Sequence, residues 1–215
     1  NGNGQLYYMF RNEGTLVVED GNYTLTAFNG GAMFYSTNSN VTIKDGYFAQ
    51  TTEGWMFNTA GNGAVVITVD GGTYNRYFVG GAEYNENPYG EVVIKDGYWA
   101  IANGDNTWTV KAVQAKIGET YYETLEGAIA AAKSGDVITF VTDITGDVTV
   151  SKNVTIDGAG KTYTGKIKAT NKAAVTIKNV NFDGKGYNGY AVETRGAQYL
   201  TIEDCTAKNY GFGFV

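Results

Sequence analysis

Val41-Thr-Ile-Lys-Asp-Gly-Tyr-Phe48 decides the fold of this chain, because it recurs. Its counterparts are Leu16-Val-Val-Glu-Asp-Gly-Asn-Tyr23, Ile67-Thr-Val-Asp-Gly-Gly-Thr-Tyr74 and Val92-Val-Ile-Lys-Asp-Gly-Tyr-Trp99. Their glycines, Gly21, Gly46, Gly72 and Gly97, are spaced by 25, 26 and 25 residues. Each block joins an alternating, β-branched strand to a glycine turn. A second strand signal precedes each block: Tyr8-Met-Phe10, Met33-Phe-Tyr35, Trp55-Met-Phe57 and Tyr77-Phe-Val79. So short a repeat cannot bury its apolar side alone. Stacked copies bury a continuous core, and the period predicts a parallel β-solenoid.

The second half repeats in the same style. Val154-Thr-Ile-Asp157, Val175-Thr-Ile-Lys178 and Leu200-Thr-Ile-Glu203 are 21 and 25 residues apart. Gly165-Lys-Ile-Lys-Ala169 and Tyr190-Ala-Val-Glu-Thr194 are the accompanying strands. Equivalent residues of successive turns lie about 4.8 Å apart in such a stack. Glu19, Lys44, Asp70 and Lys95 would then form one column of alternating sign, and Asp157, Lys178 and Glu203 another. Complementary columns favour in-register stacking. They specify register more than they add energy, since an exposed pair contributes ~0–1 kcal/mol. Alternation points Val41 and Ile43 inward and Thr42 and Lys44 outward. Tyr23, Phe48, Tyr74 and Trp99 are expected to stack in the core. Asn22, Tyr47, Thr73 and Tyr98, one place earlier, face outward.

Residues 113–135 break the pattern. Leu125, Ala128, Ile129 and Ala132 form one helical face, Thr124 reads as an N-cap, and Gly135 reads as a stop. A short α-helix near 124–133 would cover the open end of a new solenoid. This divides the chain into two modules, 1–112 and 113–215. Residues 1–110 hold 4 Lys/Arg against 11 Asp/Glu, a net of −7; residues 111–215 hold 12 against 11, a net of +1. Aromatic residues number 19 before residue 111 and 11 after it. The chain opens on Asn1 without Met and stops at Val215 inside a strand pattern, so it reads as a piece of something longer, truncated at its C-terminus.

Composition narrows the chemistry. Gly accounts for 30 of 215 residues, about twice the usual share, and Pro88 is the single proline. That suits a chain that turns often and pairs its strands on both sides. With no His and one Cys, the chain excludes His-based zinc and haem ligation, Ser-His triads, Cys-His dyads and an intrachain disulfide. A net charge of −6 argues against nucleic acid. No apolar run reaches the length of a membrane span, and no phosphate-loop or dinucleotide fingerprint is present.

Lys116-Ile-Gly-Glu-Thr-Tyr-Tyr-Glu-Thr-Leu-Glu-Gly-Ala-Ile-Ala-Ala-Ala-Lys-Ser-Gly-Asp-Val-Ile-Thr-Phe140, followed by Val148-Thr-Val-Ser-Lys-Asn-Val-Thr-Ile-Asp-Gly158, resembles the entry to right-handed parallel β-helix domains of the pectate-lyase-like kind. These occur in bacterial surface and secreted proteins and in bacteriophage fibres. The resemblance covers 113–215; the first half shares only the style of its turns. It implies an all-β chain of two tandem right-handed parallel β-helix modules, in an extracellular, cell-surface or virion setting. The architecture serves lyases, hydrolases, adhesins and virion appendages alike. The implied function is a non-catalytic structural and attachment module, with surface glycans or other subunits of a fibre as partners and room for a homo-oligomer. The alternative is a polysaccharide lyase or glycoside hydrolase.

For the enzyme alternative the material is carboxylate: Asp183, Glu193, Glu203 and Asp204, with Asp183 and Asp204 placed to be neighbours and Arg195, Lys178 and Lys208 as basic groups. Asp183-Gly184 also reads as a plain turn, and Glu203 as a member of its charge column, so no catalytic residue is assigned. No cofactor is called for. Stacked Asp20, Asp45 and Asp96 could hold Ca²⁺, with Gly71 interrupting the column, but Asp-Gly is an ordinary turn as well. Asp136, Asp143 and Asp147 are weaker cation candidates. Thr42, Thr68, Thr155, Thr176 and Thr201 form an outward array, broken by Val17 and Val93. The aromatic candidates for sugar stacking are Tyr47, Tyr98, Trp55 and Trp108, with Tyr84 and Tyr89 in the same region. Cys205 reads as a small apolar side chain.

Overall fold

A computed structural model of the chain describes residues 6–60, 65–78, 90–170, 172–197 and 199–214. The residues group into two units, Asn1–Lys111 and Ala112–Val215, each with its own apolar core.

Three short strands make each turn of the first unit. The first turn is β1 (Leu6–Asn12), β2 (Thr15–Val18) and β3 (Asn22–Leu25); the second is β4 (Ala27–Thr37), β5 (Asn40–Ile43) and β6 (Tyr47–Gln50); the third is β7 (Trp55–Ala60), β8 (Val65–Val69) and β9 (Thr73–Tyr74). Equivalent strands of successive turns pair in parallel. The register matches the repeat: Val17, Thr42 and Thr68 are successive partners, and Val41, Ile43, Ile67 and Val69 are buried. Burial of each such side chain contributes roughly 1.5–3 kcal/mol. The charge column forms as expected at its start, with Lys44 Nζ 2.9 Å from Glu19 Oε1.

The fourth repeat departs from the pattern. β10 (Gly90–Ile94) continues parallel to β8, with Ile94 opposite Val69. After it, β11 (Tyr98–Ala102) and β12 (Trp108–Ala112) form a hairpin closed by Asn103 N donating to Thr107 O. It is β12, running antiparallel, that pairs with β9, so Trp108 and not Trp99 lies opposite Tyr74. The expected four-membered aromatic column is thus three turns long. Tyr23, Phe48 and Tyr74 stack with ring centroids 5.3 and 5.1 Å apart. The reason is local: the 103–107 turn reverses the chain and supplies a second strand for the same edge. Tyr77 and Phe78 form no strand; Phe78 is buried against Phe57 and Tyr74, and Val79 lies outside the described residues.

The second unit opens with β13 (Ala115–Ile117), β14 (Thr120–Tyr122) and α1 (Leu125–Ala131). The helix is shorter than 124–133. Its capping agrees with the expectation, with Thr124 Oγ1 accepting from Gly127 N. Gln114 Oε1 accepts from Leu125 N, and Lys152 Nζ donates to the carbonyls of Ala130 and Ala132 at the other end. Leu125, Ala128 and Ile129 are buried in the core. Covering of the first turn is shared, because β13 pairs antiparallel with the first strand of the stack, Val137–Phe140.

From there the turns are β15 (Val137–Phe140), β16 (Ile144–Thr145) and β17 (Val148–Val150); β18 (Val154–Asp157), β19 (Thr162–Thr164) and β20 (Ile167–Thr170); β21 (Ala174–Lys178) and the long β22 (Asn181–Arg195); then β23 (Tyr199–Glu203) and β24 (Thr206–Phe214). Successive turns again pair in parallel. Ile156, Ile177 and Ile202 form one inward column, and Asp157, Lys178 and Glu203 the outward charge column, with Lys178 Nζ 3.3 Å from Asp157 Oδ2. The long β22 serves two faces, pairing with β19 through its start and with β20 through its end.

Candidate functional site

The second unit is shaped by a corner motif that occurs twice. Asp157-Gly-Ala-Gly160 ends β18, and Asp183-Gly-Lys-Gly186 lies within β22. In each, the carboxylate accepts from the backbone N–H two residues on: Ala159 N at 2.9 Å and Lys185 N at 3.1 Å. A Lys-Asn pair from the next turn then closes on it. Asn179 Nδ2 donates to Asp157 Oδ1 at 3.0 Å, and Asn209 Nδ2 to Asp183 Oδ1 at 2.8 Å. Lys178 and Lys208 pair with the second oxygens. Both asparagines sit at positive φ, 54° and 61°, a conformation their short polar side chain tolerates. The glycine after each Asp admits the next turn: a Cβ would stand 2.5 Å from Asn179 O at Gly158 and 2.6 Å from Asn209 O at Gly184.

Beyond the clamped corners the two turns diverge. Ile167 lies four positions after Tyr163, while their partners Val192 and Phe182 are ten apart, so the third turn carries six extra residues. These are Lys185–Tyr190, and they bulge out of β22, whose register shifts on both sides of Tyr187. The fourth turn tracks the bulge part of the way, placing Tyr210 opposite Tyr187 and Phe212 opposite Tyr190. Between them lies an open groove of about 380 Å³, lined by Gly186, Tyr187, Asn188, Asn209, Tyr210 and Gly211.

Tyr210 anchors the groove. Its Oη donates to Gly165 O at 2.7 Å and accepts from Gly165 N at 3.2 Å, reaching past the third turn to the second. Burial pushes this hydroxyl up from its ordinary range. Tyr187 meets Tyr210 edge to face, centroids 6.2 Å apart, and is 44% exposed. Asn188 Oδ1 lies over Gly211, in the space a Cβ there would occupy.

Two of the four carboxylates considered for catalysis, Asp183 and Glu193, are held in ion pairs. Asn209, the Lys185 N–H and Lys208 keep Asp183 below the usual carboxylate range. Arg195 and Lys166 do the same for the buried Glu193, with Lys166 Nζ 3.2 Å away and Arg195 Nε in direct contact. A general acid needs the opposite shift. Asp204 sits at a corner with φ 48°, and the register brings Lys208, not Asp204, to Asp183. That corrects the expected Asp183–Asp204 pairing: the chain turns at Asp204 before β24 enters the stack. Glu203 is exposed in its charge column.

Of the aromatic candidates, Tyr47 is exposed between Asn22 and Thr73 in an outward column. Tyr98 is half-buried beneath Lys95 Nζ, 4.8 Å from its ring centroid, and Trp108 is half-buried 5.6 Å from Tyr77. These three belong to the sheet containing β9, whereas Trp55 begins β7 on another sheet. Tyr84 and Tyr89 lie outside the described residues. Asp20 and Asp45 each accept from the next glycine N–H, at 2.6 and 2.7 Å, as turn residues do. A Cβ at Gly71 would collide with Lys44 O, which explains the gap in that column. Asp136 accepts from Lys133 N, while Asp143 and Asp147 accept from Thr162 N and Lys166 N of the next turn. Among the described residues no three acidic, Cys or His side chains converge on a cation position. Cys205 is half-buried against Glu203 O and Ile177 O, and burial pushes its thiol up. No helix of the described residues is long and apolar enough to cross a membrane.

Sequence reasoning missed the groove and the clamp behind it. The available signal was Asp-Gly-x-Gly at 157 and 183, each one turn ahead of a Lys-Asn pair at 178 and 208.

Comparison with protein-family models, curated proteins and solved structures finds no match for this chain. The parallel β-solenoid is therefore the part of the resemblance that the structure carries.

Proposed function

We propose that this chain is a non-catalytic structural and attachment module of an extracellular surface protein or fibre, of the kind found in bacterial adhesins and bacteriophage appendages, and that surface glycans are its partners. Its strands stack into scaffolds whose interior is filled by side chains, so binding groups belong at the corners and outer faces. The observation that carries the reading is the six-residue excursion Lys185–Tyr190, which breaks the register only to present Tyr and Asn side chains outward over a clamped corner. The ion-paired state of Asp183 and Glu193 supports the absence of turnover. The test is incubation of the full chain with a panel of soluble polysaccharides, and then assays for reducing ends and unsaturated uronates. The expected result is no new product. Formation of either product would replace this reading with that of a hydrolase or a lyase.

A further inference from the structure

We infer that the groove between Lys185–Tyr190 and Asn209–Phe212 is a binding subsite for a neutral sugar ring. The inference rests on the attachment reading and names the ligand class of that site. All six lining residues are uncharged: two glycines, two tyrosines and two asparagines, which offer only aromatic, phenolic, amide and backbone groups. Tyrosine provides a rigid amphipathic surface at low entropic cost, and asparagine provides adaptable hydrogen bonding. The carbon–hydrogen face of a pyranose fits the first and its hydroxyls fit the second.

The polar groups are divided between structure and binding. Neither the Tyr187 hydroxyl nor the Asn188 amide has a hydrogen-bond partner among the described residues, whereas Asn209 and Tyr210 are tied down by Asp183 and Gly165. One wall is therefore fixed and the other presents open donors and acceptors. Glycine at 211 makes room for Asn188 Oδ1, which stands where a Cβ would be. Of the nearby charges, Lys208 pairs with Asp183, and Lys166 and Arg195 share Glu193, while Lys185 is exposed at the edge of the excursion and is not part of the groove lining. A uronate or sulfated sugar would find Lys208, Lys166 and Arg195 already engaged, and no charged side chain lines the groove itself. The groove is shallow and open, so it takes a ring of a longer chain, not an enclosed small molecule.

The experiment measures binding of the immobilised full chain to neutral oligosaccharides of glucose, mannose, galactose and N-acetylglucosamine, with oligogalacturonate as the charged comparison. Tyr187→Ala removes the open ring, and Gly211→Ala puts a methyl where Asn188 Oδ1 stands and displaces that amide; Tyr199→Ala, an exposed tyrosine of β23 outside the groove lining, is the control. Far-UV circular dichroism checks that each variant is folded. The expected result is neutral-sugar binding that weakens about tenfold in Tyr187→Ala and Gly211→Ala and is unchanged in Tyr199→Ala. Neutral-sugar binding unaffected by both groove variants would overturn the groove and leave the attachment reading standing. Binding of oligogalacturonate alone would overturn the neutral class. Absence of binding to any glycan would overturn the attachment reading itself.

Discussion

Asn209 holds Asp183 from one turn away, its Nδ2 donating to Oδ1 at 2.8 Å, and in doing so repeats what Asn179 does to Asp157 at 3.0 Å. Each asparagine adopts a left-handed backbone conformation that lets a single residue turn the corner and deliver its amide to the turn below. The carboxylate joins three partners at once: its own downstream N–H, the amide and a lysine. The clamp thus fixes the relative height of successive turns where strands alone cannot, at the corners.

Replacing the asparagine separates its two roles. Asn179→Ala loses the charge-assisted hydrogen bond and strains the backbone, and should lower the stability of the second unit by about 2 kcal/mol. Asn179→Gly relieves the strain and should cost about half as much. Urea unfolding monitored by far-UV circular dichroism measures both. Trp55, Trp99 and Trp108 all lie in the first unit, so tryptophan emission follows that unit separately.

Acid should weaken the second unit through the same groups. Burial acts to raise Asp157, but the Asn179 amide, the Ala159 N–H and Lys178 outweigh it and leave it lowered. Asp183 is lowered by Asn209, Lys185 N and Lys208, and Glu193 by Arg195 and Lys166. A carboxyl whose folded pKa lies below its unfolded value contributes stability above the unfolded value, near pH ~4, and loses it as pH falls through the folded one. Thermal midpoints should therefore be flat from neutrality down to about pH 5 and fall below pH ~4. In Asp157→Asn that acid-dependent loss should be smaller, from a lower starting midpoint.

The charge column gives a salt-sensitive test. Lys178 stands between Asp157 and Glu203, so Lys178→Glu places three like charges in register. The expected cost is about 1 kcal/mol at low ionic strength, shrinking as salt is added. Lys44→Glu beside the more exposed Glu19 should cost less. Denaturation midpoints at two salt concentrations distinguish a charge effect from a packing one.

Close approach of turns predicts where glycine cannot be replaced. Gly158→Ala would push a methyl against Asn179 O and Val180, and should destabilise by about 1–3 kcal/mol. Gly14 has no atom within 4 Å of an added Cβ, so Gly14→Ala should stay within ~0.5 kcal/mol of the parent. The same urea transitions measure both.

The stacked strands are legible in the sequence because their determinants are periodic. Val41, Ile43, Ile67 and Val69 recur with the turn, and so do the partners Glu19 and Lys44. Features that escape periodic reading are local or long-range. The hairpin that puts Trp108 opposite Tyr74 depends on one turn at 103–107. The bond from Tyr210 to Gly165 spans 45 residues and exists only because the intervening turn bulges away. The groove arises from that insertion, which appears in the sequence as irregular spacing between Phe182 and Val192 and not as a motif. Residue type alone singles out Tyr47, Tyr98, Trp55 and Trp108; the structure instead gathers Tyr187 and Tyr210, whose neighbourhood is set by register.

Attachment to glycans without turnover is tested in both halves by one measurement. A defined neutral oligosaccharide is held overnight on the immobilised full chain, eluted and weighed by mass spectrometry. The sugar should be retained by the parent protein, retained about tenfold more weakly by Tyr187→Ala, and recovered at its original mass. Recovery of shortened or unsaturated fragments, or passage of the sugar without retention, would contradict that claim.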